Sequence, residues 1–312
     1  MLACAKIKKK RRGFMKNTSF EWASELLPKR EENSNKSTFG KLTVISGSKK
    51  YRGAAHLCVE SALRGGIGYL YYLGEEELCQ ELRMKFPEVI YNSFAPLEGT
   101  EKEEASVIAN DPACRGSVLI GPGSGLSKGL YNLTEAFILS EGGALTLDAD
   151  AINSLAKFCP DPIELFRRAK REIIITPHPL EFSRLSGMPL ELICSKRVEV
   201  AKEYAEKAGV TLLLKGNGTV VTDGEATYIN TSGSSAIAKA GSGDALSGLL
   251  AAMTASCRIK SLDAAALAAY IHGKAGDSLA EELSEYGVLI SELPREMARV
   301  INQLQKAKNA NN

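Results

Sequence analysis

The segment AKAGSGDALSG, residues 238–248, joins a glycine-rich turn and one acid, Asp244, to the start of a small-residue helix. Backbone N–H groups at such a turn, together with the positive end of the helix dipole, are suited to binding phosphate. A carboxylate in the same place repels phosphate. Asp244 is therefore expected either to cap the helix or to do chemistry beside a bound anion. The segment predicts an anion site and leaves these two roles for the acid open.

Glycine-rich or charged segments also follow several apolar runs of the chain. They are GPGSG (121–125), DADAIN with Asp148, PHPLEF with His178 and Glu181, and KGNGT (215–219). Each has an ordinary structural explanation, such as a tight turn, a helix cap at Asp148 or a solvated strand end at Lys215. Ligands of open α/β sheets bind beyond the carboxyl ends of the strands, where all of these segments would meet. Together they indicate one ligand cleft.

Short apolar runs alternate with helical stretches, which indicates the α/β class, with a central, mostly parallel sheet flanked by helices on both faces. The predicted strands cover residues 41–46, 67–73, 117–121, 144–148, 172–176, 211–215 and 219–223. TVVTDG and EATYIN predict a hairpin around Asp223 and Gly224, which adds antiparallel strands at one edge. Helices alone are expected from Asp244 to about Lys308.

Charge and composition favour a single globular domain over residues 21–312. The hydrophobic share of 44% is enough for a large core, and no linker or repeat divides the chain. Residues 1–20 carry a basic cluster and are expected to be a disordered arm, with Met15 as an alternative start. The net charge is only +2, so no nucleic-acid partner is expected.

The seven cysteines are scattered and never form a C-x-x-C pair, which favours reduced thiols and a cytoplasmic location over disulfides or zinc. No run approaches the roughly 18 apolar residues of a membrane span, and the basic start lacks the apolar segment of a secretory signal. We therefore expect no membrane association.

Taken in order, the motifs resemble those of the NAD(P)H-hydrate dehydratases, a branch of the ribokinase-like superfamily. They are LPKR, GKLTVISGSKKYRGAAHLCVESALRGGIGYL, GPGSG, LDADAIN, TPHPLEFSRLSG, KGNGT and AKAGSGDALSG. The resemblance runs from about Leu27 to the C-terminal helices. In many relatives an epimerase domain precedes the dehydratase domain, and none is expected here.

The resemblance implies repair of hydrated NADH and NADPH, driven by ADP in bacterial and archaeal members and by ATP in eukaryotic ones. Phosphoryl transfer to the C6 hydroxyl creates a leaving group that the ring nitrogen expels, which regenerates NAD(P)H and releases phosphate and, where ADP is used, AMP. The HPLE form of residues 178–181 resembles bacterial members, so ADP is the expected donor. The resemblance also implies a homo-oligomer, with a tetramer as the candidate assembly.

Site residues are carried over motif by motif. The resemblance makes Asp244 the general base, which takes the proton of the substrate hydroxyl. The substrate-binding positions are Ala54, Gly123, His178 and Asp244, and the nucleotide-binding positions are Lys215, Gly216, Asn217, Gly218, Thr219, Gly241, Ser242 and Gly243. Glu181 is expected to hold Mg²⁺ indirectly, through water and phosphate oxygens.

Four positions depart from the usual family pattern: Leu180, Ser234, Ala240 and Ser242. Leu180 is expected to narrow the entrance, and Ser234 to weaken a polar contact. A small-molecule kinase of the same superfamily, of the hydroxyethylthiazole or pyridoxal type, is the main alternative and would use the same Asp244. A non-catalytic nucleotide-binding protein is the alternative of another class, and the intact acid behind the glycine turn argues against it.

Overall fold

A computed structural model describes residues 13–94 and 97–310, and its centre is one ten-stranded sheet. The strands are β1 (Met15–Asn17), β2 (Lys41–Ile45), β3 (Tyr69–Gly74), β4 (Ile90–Ser93), β5 (Ser117–Ile120), β6 (Leu145–Leu147), β7 (Ile173–Ile175), β8 (Thr211–Leu214), β9 (Val220–Thr222) and β10 (Thr227–Ile229). Their order across the sheet is β1-β10-β9-β8-β7-β6-β5-β2-β3-β4.

The sheet is mostly parallel, as the alternating pattern predicts. Strand β9 is antiparallel to both of its neighbours, β8 and β10, and the remaining pairs are parallel. All seven apolar runs form strands, and the hairpin around Asp223 and Gly224 is confirmed. The carboxyl ends of β5, β6, β7 and β8 consequently lie side by side at one edge.

Thirteen α-helices are present in the described residues. They are α1 (Phe20–Leu26), α2 (Arg52–Arg64), α3 (Glu76–Lys85), α4 (Lys102–Ala109), α5 (Lys128–Leu139), α6 (Asp150–Phe158), α7 (Pro162–Arg167), α8 (Pro179–Ser186), α9 (Leu190–Ser195), α10 (Arg197–Ala208), α11 (Ser242–Ser256), α12 (Ser261–Gly287) and α13 (Leu293–Ala310). The expectation of helices alone after Asp244 is confirmed.

Helices cover both faces of the sheet, because each central strand buries both of its sides. On β7, Ile173 and Ile175 enter the core that includes α5, α6 and α10, whereas Ile174 enters the core formed with α11, α12 and α13. Successive side chains of a strand point to opposite faces, so a run of three isoleucines serves two cores. This confirms the predicted layering.

Helix α11 packs closely on α2, and a glycine makes this approach possible. A Cβ at Gly248 would lie 2.3 Å from the carbonyl oxygen of Cys58. The Cys58 thiol in turn donates to the carbonyl oxygen of Asp244, 3.3 Å away. The start of α11 is thereby fixed beside the first turns of α2.

The predicted disordered arm is wrong for residues 13–20. Met15–Asn17 form β1, which pairs in parallel with β10, and Thr227 donates its N–H to the carbonyl oxygen of Phe14 at 2.8 Å. The strand was missed because its three residues are exposed and carry no apolar pattern. Strand β4 was missed as well, and three of its four residues are exposed. Residues 1–12, the rest of the arm, lie outside the described residues.

The described residues show neither a membrane-spanning helix nor a disulfide. None of their helices combines the length and apolarity that a membrane crossing requires. Their six cysteines are all free thiols, of which Cys58, Cys79 and Cys114 are buried.

Candidate active site

One cavity of about 760 Å³ lies at the carboxyl edge of the sheet, where the sequence predicts a cleft. Its walls come from the segments that follow β6, β7, β8 and β10, from the first turns of α11 and from α12. Among the residues proposed from the sequence it brings together Asp148, His178, Glu181, Lys215, Gly216, Asn217, Thr219, Ser242, Gly243 and Asp244. Ala54, Gly123, Gly218 and Gly241 are not among its lining residues.

A buried ion pair forms the floor of the site. Lys215 Nζ lies 2.7 Å from Asp148 Oδ1, and Ser247 Oγ donates to Asp148 Oδ2 at 2.5 Å. Asp148 is 1% exposed. The sequence left open whether Asp148 caps a helix or belongs to a ligand cleft. The carboxylate of Asp148 binds Lys215 and Ser247, and Ala149 occupies the N-cap position of α6, so Asp148 is not the cap.

Lys215 remains a cation in this position. Burial works to lower the pKa of its ammonium group, but the carboxylates of Asp148 and Glu181 outweigh burial, and the pKa is raised above its ordinary value. Glu181 Oε2 lies 3.9 Å from Lys215 Nζ. The side chain of Lys215 keeps 19% of its surface exposed, which leaves a fixed positive charge facing the cavity.

His178 and Glu181 form a capping box at the start of α8. The N–H of His178 donates to Glu181 Oε2 at 2.8 Å, and His178 Nδ1 accepts from the N–H groups of Leu180 and Glu181 at 3.2 and 3.3 Å. His178 Nδ1 is therefore unprotonated and Nε2 carries the ring proton. Burial, reinforced by Lys215, lowers the pKa of His178, so the ring is neutral at physiological pH.

Asp244 is the third residue of α11, and the sequence left its role open between helix cap and chemistry. Within the described residues no hydrogen bond is made to its carboxylate, so it does not cap the helix. Burial first, and then the negative charge of Asp148, raise the pKa of Asp244 to about 7, while Lys215 opposes the shift. A carboxylate with such a pKa can exchange a proton near neutral pH.

Of the two glycines before Asp244, Gly241 is required by its backbone conformation and a close contact, whereas a Cβ at Gly243 would make only an ordinary contact. Gly241 has φ +92°, and a Cβ there would lie 2.6 Å from Leu57 Cδ1 of α2. At Gly243 a Cβ would lie 3.4 Å from Lys215 Nζ. The turn thus sits against α2 on one side and beside the Lys215 ammonium on the other, at the N-terminus of a fifteen-residue helix. This arrangement suits an anion.

The loop of residues 215–219 is held by a side chain that the sequence analysis missed. Arg197 Nη1 donates to the carbonyl oxygen of Asn217 at 2.8 Å, and Nη2 donates to those of Leu214 and Lys215 at 3.0 and 2.9 Å. Thr219 Oγ1 closes the turn by donating to the carbonyl oxygen of Gly216 at 2.9 Å. No local motif signals the role of Arg197, because its partners lie 17 to 20 residues away.

His272 of α12 is the second residue that was missed. It lines the cavity, is 7% exposed, and places Nε2 3.1 Å from Ser242 Oγ in the glycine turn. The available signal was a lone histidine in the stretch LAAYIHGKAG, whose other residues are small or apolar apart from Tyr270 and Lys274.

The predicted substrate positions Ala54 and Gly123 lie next to each other. Gly123 has φ +61°, and a Cβ there would come within 2.7 Å of Ala54 Cβ and 2.9 Å of Tyr51 Cβ. Asp150 Oδ2 holds the same loop by accepting the N–H of Gly125 at 2.8 Å. The same helix, α2, approaches the glycine turn, because a Cβ at Gly241 would lie 2.6 Å from Leu57 Cδ1.

Of the four positions that depart from the family pattern, Ser234 and Ser242 line the cavity and Leu180 and Ala240 do not. Leu180 is 43% exposed on α8. The buried Ser234 Oγ has no hydrogen-bond partner among the described residues, which leaves it available to a ligand.

Comparison with known proteins shows the family. The family model described as NAD(P)H-hydrate dehydratase matches residues 42–299. The ADP-dependent (S)-NAD(P)H-hydrate dehydratase of Bacillus subtilis is 31% identical over 278 residues, which cover 88% of this chain and 93% of that protein. The bifunctional NAD(P)H-hydrate repair enzyme of Moorella thermoacetica is 30% identical over 289 residues, or 91% of this chain. The chain spans about half the length of that relative.

The structural comparison agrees with the sequence comparison. The Bacillus subtilis ADP/ATP-dependent NAD(P)H-hydrate dehydratase, co-crystallized with ATP and Mg²⁺, superposes with a TM-score of 0.80 at 28% identity. The match covers 93% of this chain and 98% of that one. The α/β fold is thus the ribokinase-like fold expected from the motifs, and the chain belongs to the NAD(P)H-hydrate dehydratase family.

Proposed function

We propose that this protein removes water from hydrated NADH and NADPH in a reaction driven by a nucleoside di- or triphosphate, with Asp244 as the general base. One observation carries this proposal. Asp244 faces the cavity with a pKa of about 7 and no intramolecular partner for its carboxylate among the described residues, beside the Lys215 ammonium and the glycine turn. A base and an anion site thus share one cavity.

The reaction balances as a phosphoryl transfer followed by an elimination. Asp244 takes the proton of the substrate C6 hydroxyl as that oxygen attacks the terminal phosphorus of ADP, and the bond from phosphorus to the AMP oxygen breaks. The ring nitrogen then expels phosphate from C6, and loss of the C5 proton forms the C5=C6 double bond of NADH. The products are NADH, phosphate and AMP.

The surrounding residues supply binding and charge. We assign the anion contacts to the Lys215 ammonium and to the backbone N–H groups of Gly241 and Gly243. The N–H of Ser242, which was expected to join them, donates instead to the carbonyl oxygen of Lys239 at 3.3 Å. Residues 215–219 would bind the nucleotide, and His178, Ala54 and Gly123 the hydrated nicotinamide. The short contact between Gly123 and Ala54 leaves no room for a larger side chain at residue 123.

The site offers Mg²⁺ one acidic side chain, which would hold the ion through water. The described residues contain no group of three or more His, Cys, Asp or Glu side chains that could hold a metal ion. Asp148 is occupied by Lys215 and Ser247, so Glu181 at the cavity wall would be the acid to hold Mg²⁺, through water. The ion, bound chiefly by phosphate oxygens and water, would neutralise charge on the nucleotide.

ADP as the preferred donor rests on the HPLE form of residues 178–181, and the name of the Bacillus subtilis relative supports it. Side-by-side kcat/KM values for ADP and ATP test the preference, and a tenfold advantage for ATP would overturn it. The homo-oligomer, the cytoplasmic location and the absence of nucleic-acid and membrane partners stay predictions.

The test of the proposed function is an incubation of the protein with ADP, Mg²⁺ and hydrated NADH, in which NADH absorbance and free phosphate are followed together. Equal yields of NADH and phosphate are expected. A stable phosphorylated product without NADH would instead show a small-molecule kinase. The absence of any turnover with bound nucleotide would favour the non-catalytic alternative.

A further inference from the structure

His272 reaches the glycine turn from α12, a helix that also lines the cavity with Ala269 and Gly273. A Cβ at Gly273 would lie 2.4 Å from Ser232 Oγ, and one at Gly276 would lie 2.3 Å from Ile237 Cγ2. Two glycines therefore allow the helix to pack directly on the loop of residues 231–237. The histidine beside them is 7% exposed and lines the cavity.

The two contacts of His272 with Ser242 fix its tautomer. His272 Nε2 lies 3.1 Å from Ser242 Oγ and 3.1 Å from the carbonyl oxygen of Ser242. A carbonyl oxygen can only accept, so Nε2 carries the ring proton and shares it between the two oxygens. Ser242 Oγ is then an acceptor in this contact, and its own proton is free.

The charge state of His272 agrees with this arrangement. Burial lowers the pKa of His272 to about 4, with the Ser242 carbonyl opposing the shift and the Lys215 ammonium adding to it. The ring is therefore neutral at physiological pH, with one proton, already assigned to Nε2. Within the described residues, Ser242 Oγ has no partner other than His272.

We propose that His272 is a positioning residue for the nucleotide, which orients the Ser242 hydroxyl so that its proton points into the cavity as a hydrogen-bond donor to a phosphate oxygen. This inference rests on the proposed use of a nucleotide by the site. It explains how Ser242, which departs from the usual family pattern, can supply a hydrogen-bond donor from the glycine turn. The buried N–H occupies one lone pair of the hydroxyl oxygen, which directs the O–H bond away from the protein and toward the anion.

The test measures ADP binding by calorimetry in the presence of Mg²⁺ and without the hydrated cofactor, on the full chain. The variants are His272→Leu, which has no N–H, His272→Gln, whose amide can donate from a similar distance, Ser242→Ala, and the double variant His272→Leu/Ser242→Ala. Melting temperatures of all four report on folding. Loss of one oriented hydrogen bond predicts an affinity about 3- to 10-fold lower for His272→Leu and for Ser242→Ala.

Non-additivity separates positioning from a general structural role. If His272 acts through the Ser242 hydroxyl, the double variant binds ADP no more weakly than Ser242→Ala alone, and His272→Gln recovers most of the affinity. Fully additive losses, or unchanged affinity in a folded His272→Leu variant, would overturn the inference while leaving the proposed function intact. Wild-type protein that binds neither ADP nor ATP would contradict both, and binding without dehydration would contradict the proposed function alone.

Discussion

Lys215 and Asp148 form a buried ion pair, 2.7 Å from Nζ to Oδ1, that joins the end of β8 to the end of β6 directly beside the turn that carries Asp244. The pair has two electrostatic consequences. Asp148 keeps the Lys215 ammonium charged, and its own negative charge adds to burial in raising the pKa of Asp244. Asp148, which controls the charge of Lys215 and the pKa of Asp244, is thus a different residue from Asp244, the proposed general base.

Asp148→Asn should move the acid limb of the kcat against pH profile to lower pH. Removal of the negative charge lowers the pKa of Asp244 from its value of about 7, so the base form persists into more acidic solution. It also leaves Lys215 with a weaker partner, which should cost on the order of 3 kcal/mol of unfolding free energy. Ser247→Ala is the matched control, because it removes an uncharged donor to the same carboxylate, leaves the negative charge of Asp148 in place and costs about 2 kcal/mol. If the acid limb of the pH profile is the same in Asp148→Asn and wild type, Asp148 does not raise the pKa of Asp244.

Asp244→Asn should stabilise the protein above neutral pH. Because folding raises the pKa of Asp244 from 3.8 to about 7, the folded state binds this proton more tightly, and the group's contribution to stability is lost as pH rises through about 7. An uncharged amide escapes this penalty. The melting temperature of the variant should exceed that of wild type at pH 8, by the equivalent of roughly 2–4 kcal/mol, and the gap should close toward pH 4. A gap independent of pH would contradict the raised pKa.

Arg197→Lys should raise the KM for the nucleotide roughly tenfold, because a lysine cannot donate to all three carbonyl oxygens that shape residues 215–219. Arg171→Lys is the matched control. Arg171 is buried and donates to the carbonyl oxygens of Cys114, Gly116 and Glu141, none of which lines the cavity. It should lower the melting temperature and leave the KM unchanged. Equal KM effects in the two variants would show that Arg197 only supports the fold.

Deletion of residues 1–14 should leave kcat unchanged, because none of the predicted site residues precedes Ala54. A modest fall in melting temperature is expected, since the carbonyl oxygen of Phe14 accepts from Thr227 and its ring packs edge-on against Tyr228 at 5.3 Å. Steady-state kinetics well below the melting temperature separates the two effects. A large loss of kcat in a folded truncated protein would be evidence for a catalytic part of the arm.

The sequence predicted the central strands because their apolar runs serve two cores, as the isoleucines of β7 illustrate. It could not predict β1, whose exposed residues are strand-forming only because β10 offers a free edge. Local reasoning also left the role of Asp148 open between a helix cap and a cleft residue, because its partner Lys215 lies 67 residues away. Arg197 and His272 were missed for the same reason. Their roles depend on contacts with distant backbone and side-chain atoms that no motif encodes.

The central claim, that Asp244 is the general base, is tested most directly by comparing Asp244→Asn with wild type for regained NADH absorbance and released phosphate from hydrated NADH, ADP and Mg²⁺. Loss of a general base predicts a kcat lower by about 10²- to 10⁴-fold. The amide keeps the shape of the side chain and removes a negative charge near phosphate, so the Kd for ADP should stay the same or fall slightly. Turnover by the variant within a factor of about three of wild type, below the range for a lost general base, would contradict the mechanism.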